Sequence, residues 1–300
     1  MGKIGPSAHI GAMIAKGFSK NTKKMKSDDR LFMTAGAGAG CAAILHAPLA
    51  GIAFTLEETN KSFSIEVLLI AISSCITSDF IVSDCFELDP IYYMPLSNSI
   101  PIADFWKLIL LALIMGLMGV LYNITLQATQ KLYSLTKSIW IKIFIPVVAT
   151  AILVIVFPEI TGTGDSLIEN CKDFVYPLKA VLIILVARYI FTMVCFASGC
   201  PGGLIGPVIV IGGVAGYAFG LIAGSEEVLM NYILYGMAGY FTAVLNTPIT
   251  GIILFSEITG SFTYLPGIAL VCIVSYMVSD LMKSRPVFEL LLDKILDDDN

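Results

Sequence analysis

Charge is what this chain of 300 residues has least of. Asp, Glu, Lys and Arg make up 14% of it against 57% hydrophobic residues, where an average soluble domain carries about 25% charged residues. The scarcity is also concentrated: no charged side chain occurs over 31–56, 108–130, 189–225 or 228–256. A bilayer's hydrocarbon core is crossed by about 20 apolar residues of helix, so these runs are long enough to span it. A soluble enzyme is excluded, and so is nucleic acid as a partner, since it requires a basic face for phosphates. Histidine occurs only twice, as His9 and His46, far apart in sequence, which leaves no ligand-spaced set for a metal. The seven cysteines (41, 75, 85, 171, 195, 200 and 272) form no CxxC pair and sit mostly in apolar runs, so they read as buried free thiols. No Ser/His, paired-Asp or HExxH constellation lies in the apolar segments, which argues against an intramembrane hydrolase and against an enzyme of any kind. No basic stretch precedes a first apolar run, so no cleavable signal is expected. The remaining class is an all-α, polytopic membrane protein with the lipid bilayer as its solvent, a multi-pass protein of the cell membrane.

What the chain does contain is an internal repeat. At an offset of 200, Gly36, Ala43, Leu45, Pro48, Gly51, Ile52, Glu57 and Thr59 meet identical residues at Gly236, Ala243, Leu245, Pro248, Gly251, Ile252, Glu257 and Thr259. At an offset of 201, Ile4, Gly5, Pro6, Ile10, Gly11 and Phe18 meet Ile205, Gly206, Pro207, Ile211, Gly212 and Phe219. Apolar segments share residues by composition, but here glycine and proline, which set backbone geometry, fall in register. Residues 104–204 precede the second Ile-Gly-Pro and only three precede the first. The expected organisation is therefore 1–103 as the remainder of a first membrane repeat whose N-terminal part is missing and 104–300 as the second, together one membrane domain. The link after the first Gly-Pro segment is basic (Lys20, Lys23, Lys24, Lys26, Arg30), and its counterpart is acidic (Glu226, Glu227). The positive-inside tendency then predicts an inverted repeat with the basic link in the cytoplasm.

Breaks at Gly, Pro and charge clusters predict helices near 6–18, 32–45, 48–58, 64–86, 104–134, 138–157, 166–171, 177–197, 207–223, 229–244, 248–258, 263–283 and 286–296. Several are too short to cross a bilayer. Short helices that begin at proline within charge-free stretches imply discontinuous, tilted helices meeting at mid-membrane depth, where irregular backbone must be buried or line a cavity. Gly212, Gly216 and Gly220, and Gly36 and Gly40, predict close helix contacts. Arg188, flanked by apolar sequence, reads as half of a buried ion pair.

The chemistry sits at the two Gly-Pro starts. Proline at the first helical position leaves neighbouring amides unpaired, the helix dipole adds partial positive charge there, and glycine lets a ligand approach. Two such starts in register form an anion site without a full positive charge, which suits conduction because the ion must also leave.

These segments resemble the CLC family of chloride channels and chloride/proton exchangers. Gly2-Lys-Ile-Gly-Pro6 is similar to that family's GKEGP region and Gly202-Gly-Leu-Ile-Gly-Pro207 to its GGxFxP segment, while 47–58 and 247–257 resemble its paired signature helices. The resemblance runs in order along the whole chain, and it implies a homodimer, through 48–86 and 248–283, with one pathway per subunit. Chloride is the implied ligand, with no metal or other cofactor. Backbone amides of Ile4, Gly5, Leu204 and Ile205 would contact the anion, and Phe288 takes the place of the family's pore tyrosine, without its hydroxyl. Ile4 stands where the family has its gating glutamate, and Glu58 matches its internal proton-relaying glutamate. Lys3 raises the local anion concentration or snorkels to the interface. The GSGIP motif expected upstream is absent from the sequence.

Ile4 in place of an acid makes a passive, proton-uncoupled chloride channel the leading expectation. A chloride/proton antiporter that uses Glu58 is the first alternative. A non-conducting fragment, or one half of a split protein, is the second.

Overall fold

In the computed structural model the described residues are 2–21, 26–92, 94, 96, 99–136, 138–156, 161–173, 176–199, 202–223 and 228–298. The first repeat contributes α1 (Ile4–Asn21), α2 (Lys26–Leu45), α3 (Pro48–Phe54), which runs on into a π-helical turn at Thr55–Thr59, and α4 (Ile65–Phe80), which ends in a second such turn at Ile81–Cys85. The second contributes α5 (Phe105–Ser134), α6 (Ile139–Val156), α7 (Asp165–Asp173), α8 (Leu178–Ala197), α9 (Ile205–Ile222), α10 (Leu229–Leu245), α11 (Pro248–Thr259), α12 (Leu265–Leu281) and α13 (Val287–Asp298). Among the described residues five segments are long and apolar enough to span a bilayer: 65–85, 102–134, 178–197, 205–222 and 262–281. Helices α3 and α11, of 7 and 12 residues, are too short to cross it.

Local chemistry sets the element ends. Pro48 and Pro248 open α3 and α11, where a missing N–H costs nothing. The Ser64 side chain accepts a bond from the Val67 amide and caps α4. His46 and Asn246 take left-handed backbone (φ 50° and 58°) in the matching links α2–α3 and α10–α11, a turn that asparagine tolerates better than most residues. The two Gly-Pro helices begin at Ile4 and Ile205, two residues before the expected prolines. Proline fits there too, because none of the first helical N–H groups has an acceptor within its own helix.

The repeat is plain in the packing. Helix α1 lies against α2 as α9 lies against α10, and both crossings close on glycine. A Cβ on Gly36 would stand 2.4 Å from the Gly11 oxygen, and one on Gly236 2.4 Å from the Gly212 oxygen, so neither position admits a side chain. The copies differ in their cover. Helix α9 is buried almost all round, packed by α5, α7, α8 and α10. Helix α1 instead leaves Ile10, Ile14 and Phe18 at 59%, 58% and 68% exposure. The segment joining the repeats is pinned to the second one: the Met94 amide donates to the Ile258 carbonyl (3.2 Å) and the Tyr264 hydroxyl to the Leu96 carbonyl (2.6 Å). Cys41, Cys75, Cys195 and Cys272 are buried, Cys85 is exposed, and none of these five is in a disulfide. Lys23 and Lys24 of the basic link and both glutamates of the acidic one fall on 22–25 and 224–227, outside the described residues.

Candidate functional site

The backbone preceding α1 and the backbone preceding α9 form an antiparallel bridge. The Gly2 amide donates to the Gly203 carbonyl and the Gly203 amide to the Gly2 carbonyl, both at 2.8 Å. Residues 2 and 203 are equivalent under the 201-residue offset, so the bridge lies across the pseudo-two-fold axis and sets one helix start against the other. Only glycine permits this. A Cβ on Gly203 would fall 2.7 Å from the Gly2 oxygen and 2.8 Å from the Gly5 nitrogen, and a Cβ on Gly5 2.9 Å from the Gly203 Cα.

Ser7 and Val208 are the first residues whose amides bond back, to the Lys3 and Leu204 carbonyls, each at 3.1 Å. Pro6 and Pro207 have no N–H, so the amides of Ile4, Gly5, Ile205 and Gly206 lack acceptors inside their own helices. Ile4, Leu204 and Ile205 are buried and Gly5 half-buried, while Lys3 is exposed. The family resemblance implies the amides of Ile4, Gly5, Leu204 and Ile205 as the anion's contacts; the 201 offset sets Ile4 and Gly5 against Ile205 and Gly206. Arg188 has backbone partners, donating to the carbonyls of Gly162 (3.1 Å) and Thr163 (2.5 Å). With Gly203 and Pro207 it lines a small cavity beside the bridge.

A second reciprocal contact, also missed, joins the short helices. The Glu57 carboxylate accepts from the Ile249 (3.1 Å) and Thr250 (2.7 Å) amides at the start of α11 and from the Thr250 hydroxyl (2.8 Å). Glu257 does the same for Leu49 (2.9 Å) and Ala50 (2.7 Å) at the start of α3. Each helix thus lends a carboxylate to the electropositive end of its symmetry mate. The identity of Glu57 and Glu257 at the 200 offset was the available signal. Its meaning required knowing that the two helices run antiparallel.

Glu58 follows Glu57 in the π turn beyond α3, outside the spanning helices. It is half-buried, and burial pushes its carboxyl up to about 7; Lys61 works against that shift, and Glu289 and Glu57 add to it. Lys61 reaches Glu289 on α13 (2.5 Å). Phe288, the residue before Glu289, packs its ring edge-on against Phe54 of α3, with centroids 6.3 Å apart. The structure therefore brings Glu58 and Phe288 to one end of α3 and the paired helix starts to the bridge. Among the described residues no cluster of His, Cys, Asp and Glu could hold a metal.

The sequence model described as "Voltage gated chloride channel" matches residues 1–280. The chain belongs to that family. Similar CLC proteins include the H(+)/Cl(-) exchange transporter ClcA of Vibrio parahaemolyticus, 28% identical over 322 residues and covering 100% of this chain and 67% of the relative. ClcA of Vibrio cholerae is 30% identical over 317 residues, covering 99% and 66%. The chain spans about two thirds of the length of these curated relatives. Among solved structures, a slow cyanobacterial Cl-/H+ antiporter superposes with a TM-score of 0.89 at 23% identity, over 99% of this chain and 72% of that one. A CLC-type fluoride/proton antiporter gives 0.83 at 24%, over 96% and 72%. These likenesses establish the CLC fold and a multi-pass membrane protein. They also correct the expectation of a passive channel, since the relatives that match along the whole chain are named as exchangers.

Proposed function

We propose that this chain carries the chloride pathway of a CLC-type chloride/proton exchanger. The reciprocal Gly2–Gly203 bridge supports the reading, because it sets together the two helix starts that carry the amides of Ile4, Gly5, Ile205 and Gly206. Helix dipoles and amide donors hold an anion there without a formal counter-charge, weakly enough for it to leave. Lys3, exposed beside Ile4, raises the local anion concentration. Phe288 gives the path an apolar wall with no hydroxyl to bind the ion. The proton half rests on Glu58, whose carboxyl, at about 7, is half-protonated at neutral pH and so able both to take and to release a proton, and on the relatives named for that exchange.

The unit of function is a homodimer through residues 48–86 and 248–283. A groove of about 530 Å³ across α3 and α11 is lined by Leu49, Ile52, Phe63, Ile249, Ile253 and Phe262, and Phe262 and Ile65 are each 77% exposed. A second feature concerns its extent. The bare face of α1, where α9 is covered, favours a working unit in which further helices, equivalent to α5–α8, pack on α1.

The test is the full chain in liposomes under an outward chloride gradient, with a pH probe in the lumen. Protons are expected to move inward against their own gradient, and Glu58→Gln is expected to stop them while chloride still leaves. Chloride efflux with no proton movement refutes exchange. No flux of either ion from folded dimers refutes this chain alone as the working unit.

A further inference from the structure

We propose that Lys61 and Glu289 are positioning residues that jointly set the protonation of Glu58, as a charge pair spanning the turn after α3 and the first turn of α13. The proposal deepens the exchange reading and rests on it for its physiological meaning, but not for its test. Lys61 lies three residues beyond Glu58 and is held in left-handed backbone (φ 51°), an unusual conformation for lysine. From there its Nζ meets the Glu289 carboxylate at 2.5 Å. The Phe54–Phe288 ring contact fixes the same turn of α13 one residue earlier, so the pair joins two elements already held in register. Both ends of the pair are part-exposed, at 49% and 38%, so water reaches them and can deliver or remove the proton.

The charges acting on Glu58 are Lys61, Glu289 and Glu57. Glu57 is committed to the start of α11. Helices α2 and α4 also pack against this turn, and the charged residues of their N-terminal parts include Asp29, Arg30 and Glu66. Arg285, just ahead of α13, and Asp293 on it satisfy each other at 2.8 Å. Lys61 thus serves two carboxylates, and Glu289 both repels the Glu58 charge and draws Lys61 away from it. When Glu58 takes a proton from water, Lys61 goes wholly to Glu289. When Glu58 releases it, Lys61 is shared.

Two substitutions break the same ion pair and separate this from a mere latch. Lys61→Gln removes the attraction and raises the pH at which Glu58 loses its proton. Glu289→Gln removes the repulsion, frees Lys61 for Glu58 and lowers that pH. A bridge that only holds α13 in place gives both variants the same effect. The readout is an infrared difference titration of the Glu58 carboxyl in the full chain in liposomes, with Glu58→Gln identifying the band. Opposite displacements of about 1 pH unit are expected, and Lys61→Arg should stay near the parent. Displacements in the same direction, or none, overturn the proposal. If Lys61→Gln does not fold, Glu289→Gln decides alone: a midpoint that stays or rises overturns the proposal. Opposite displacements in a chain that moves no protons would leave this assignment standing and remove the exchange reading.

Discussion

Gly203→Ala is the sharpest perturbation of the paired helix starts. The new Cβ would lie 2.7 Å from the Gly2 oxygen, 2.8 Å from the Gly5 nitrogen and 3.0 Å from the Gly2 carbonyl carbon. All three are backbone atoms, so no side chain can swing aside. Reaching ordinary contact displaces the Gly5 amide by about 0.6 Å and stretches a bridge of two 2.8 Å hydrogen bonds. An amide aimed at an anion contributes about 1.5–3 kcal/mol, and a shift of this size forfeits most of that from one donor. Chloride should therefore bind about 10- to 150-fold more weakly, with overpacking costing a further 1–3 kcal/mol or so of stability. Calorimetric titration of purified protein with chloride, beside its thermal unfolding, reads both quantities. Gly17→Ala is the control, since nothing lies within 4 Å of a Cβ there, and it should leave affinity unchanged. A folded Gly203→Ala protein that binds chloride within twofold of the parent would refute the reasoning that the bridge holds the donors on the ion.

Glu57→Gln and Glu257→Gln should each lower stability by about 1–3 kcal/mol, because an amide replaces a carboxylate that accepts two backbone N–H groups; thermal unfolding in detergent checks this, and the twofold symmetry predicts similar losses. Ile4→Glu places a carboxylate at a buried position (2% exposed) beside the amides, so chloride efflux should fall more steeply with rising pH than in the parent as the charged group competes for the site. Phe288→Tyr should keep the contact with Phe54 and add one donor, tightening chloride binding about 2- to 10-fold in calorimetry. The folded chain holds the Glu58 proton more tightly than an unfolded chain does, with half-protonation at about 7 against 4.5. Stability from this group is therefore fully present below pH 4.5 and lost as pH rises through 7. Glu58→Gln should flatten that part of the melting-temperature profile.

The sequence alone determined the class of molecule, the helices and the duplication. Charge-free runs, prolines and glycines are local signals, and the ends they predict for α2, α3 and α8–α12 lie within a few residues of those observed, except at the start of α2. It also located both helix starts, because Ile-Gly-Pro repeats in register. Only the tertiary structure could decide what those pieces do to each other. Glu57 and Glu257 are an identical pair in sequence, but their exchange of carboxylates between α3 and α11 depends on two antiparallel helices lying side by side. The Gly2–Gly203 bridge and the Lys61–Glu289 pair join residues 201 and 228 positions apart. Periodicity and propensity act over a few turns of chain, whereas the direction of a carboxylate or an amide is fixed by whichever distant backbone the packing brings within 3 Å or so of it.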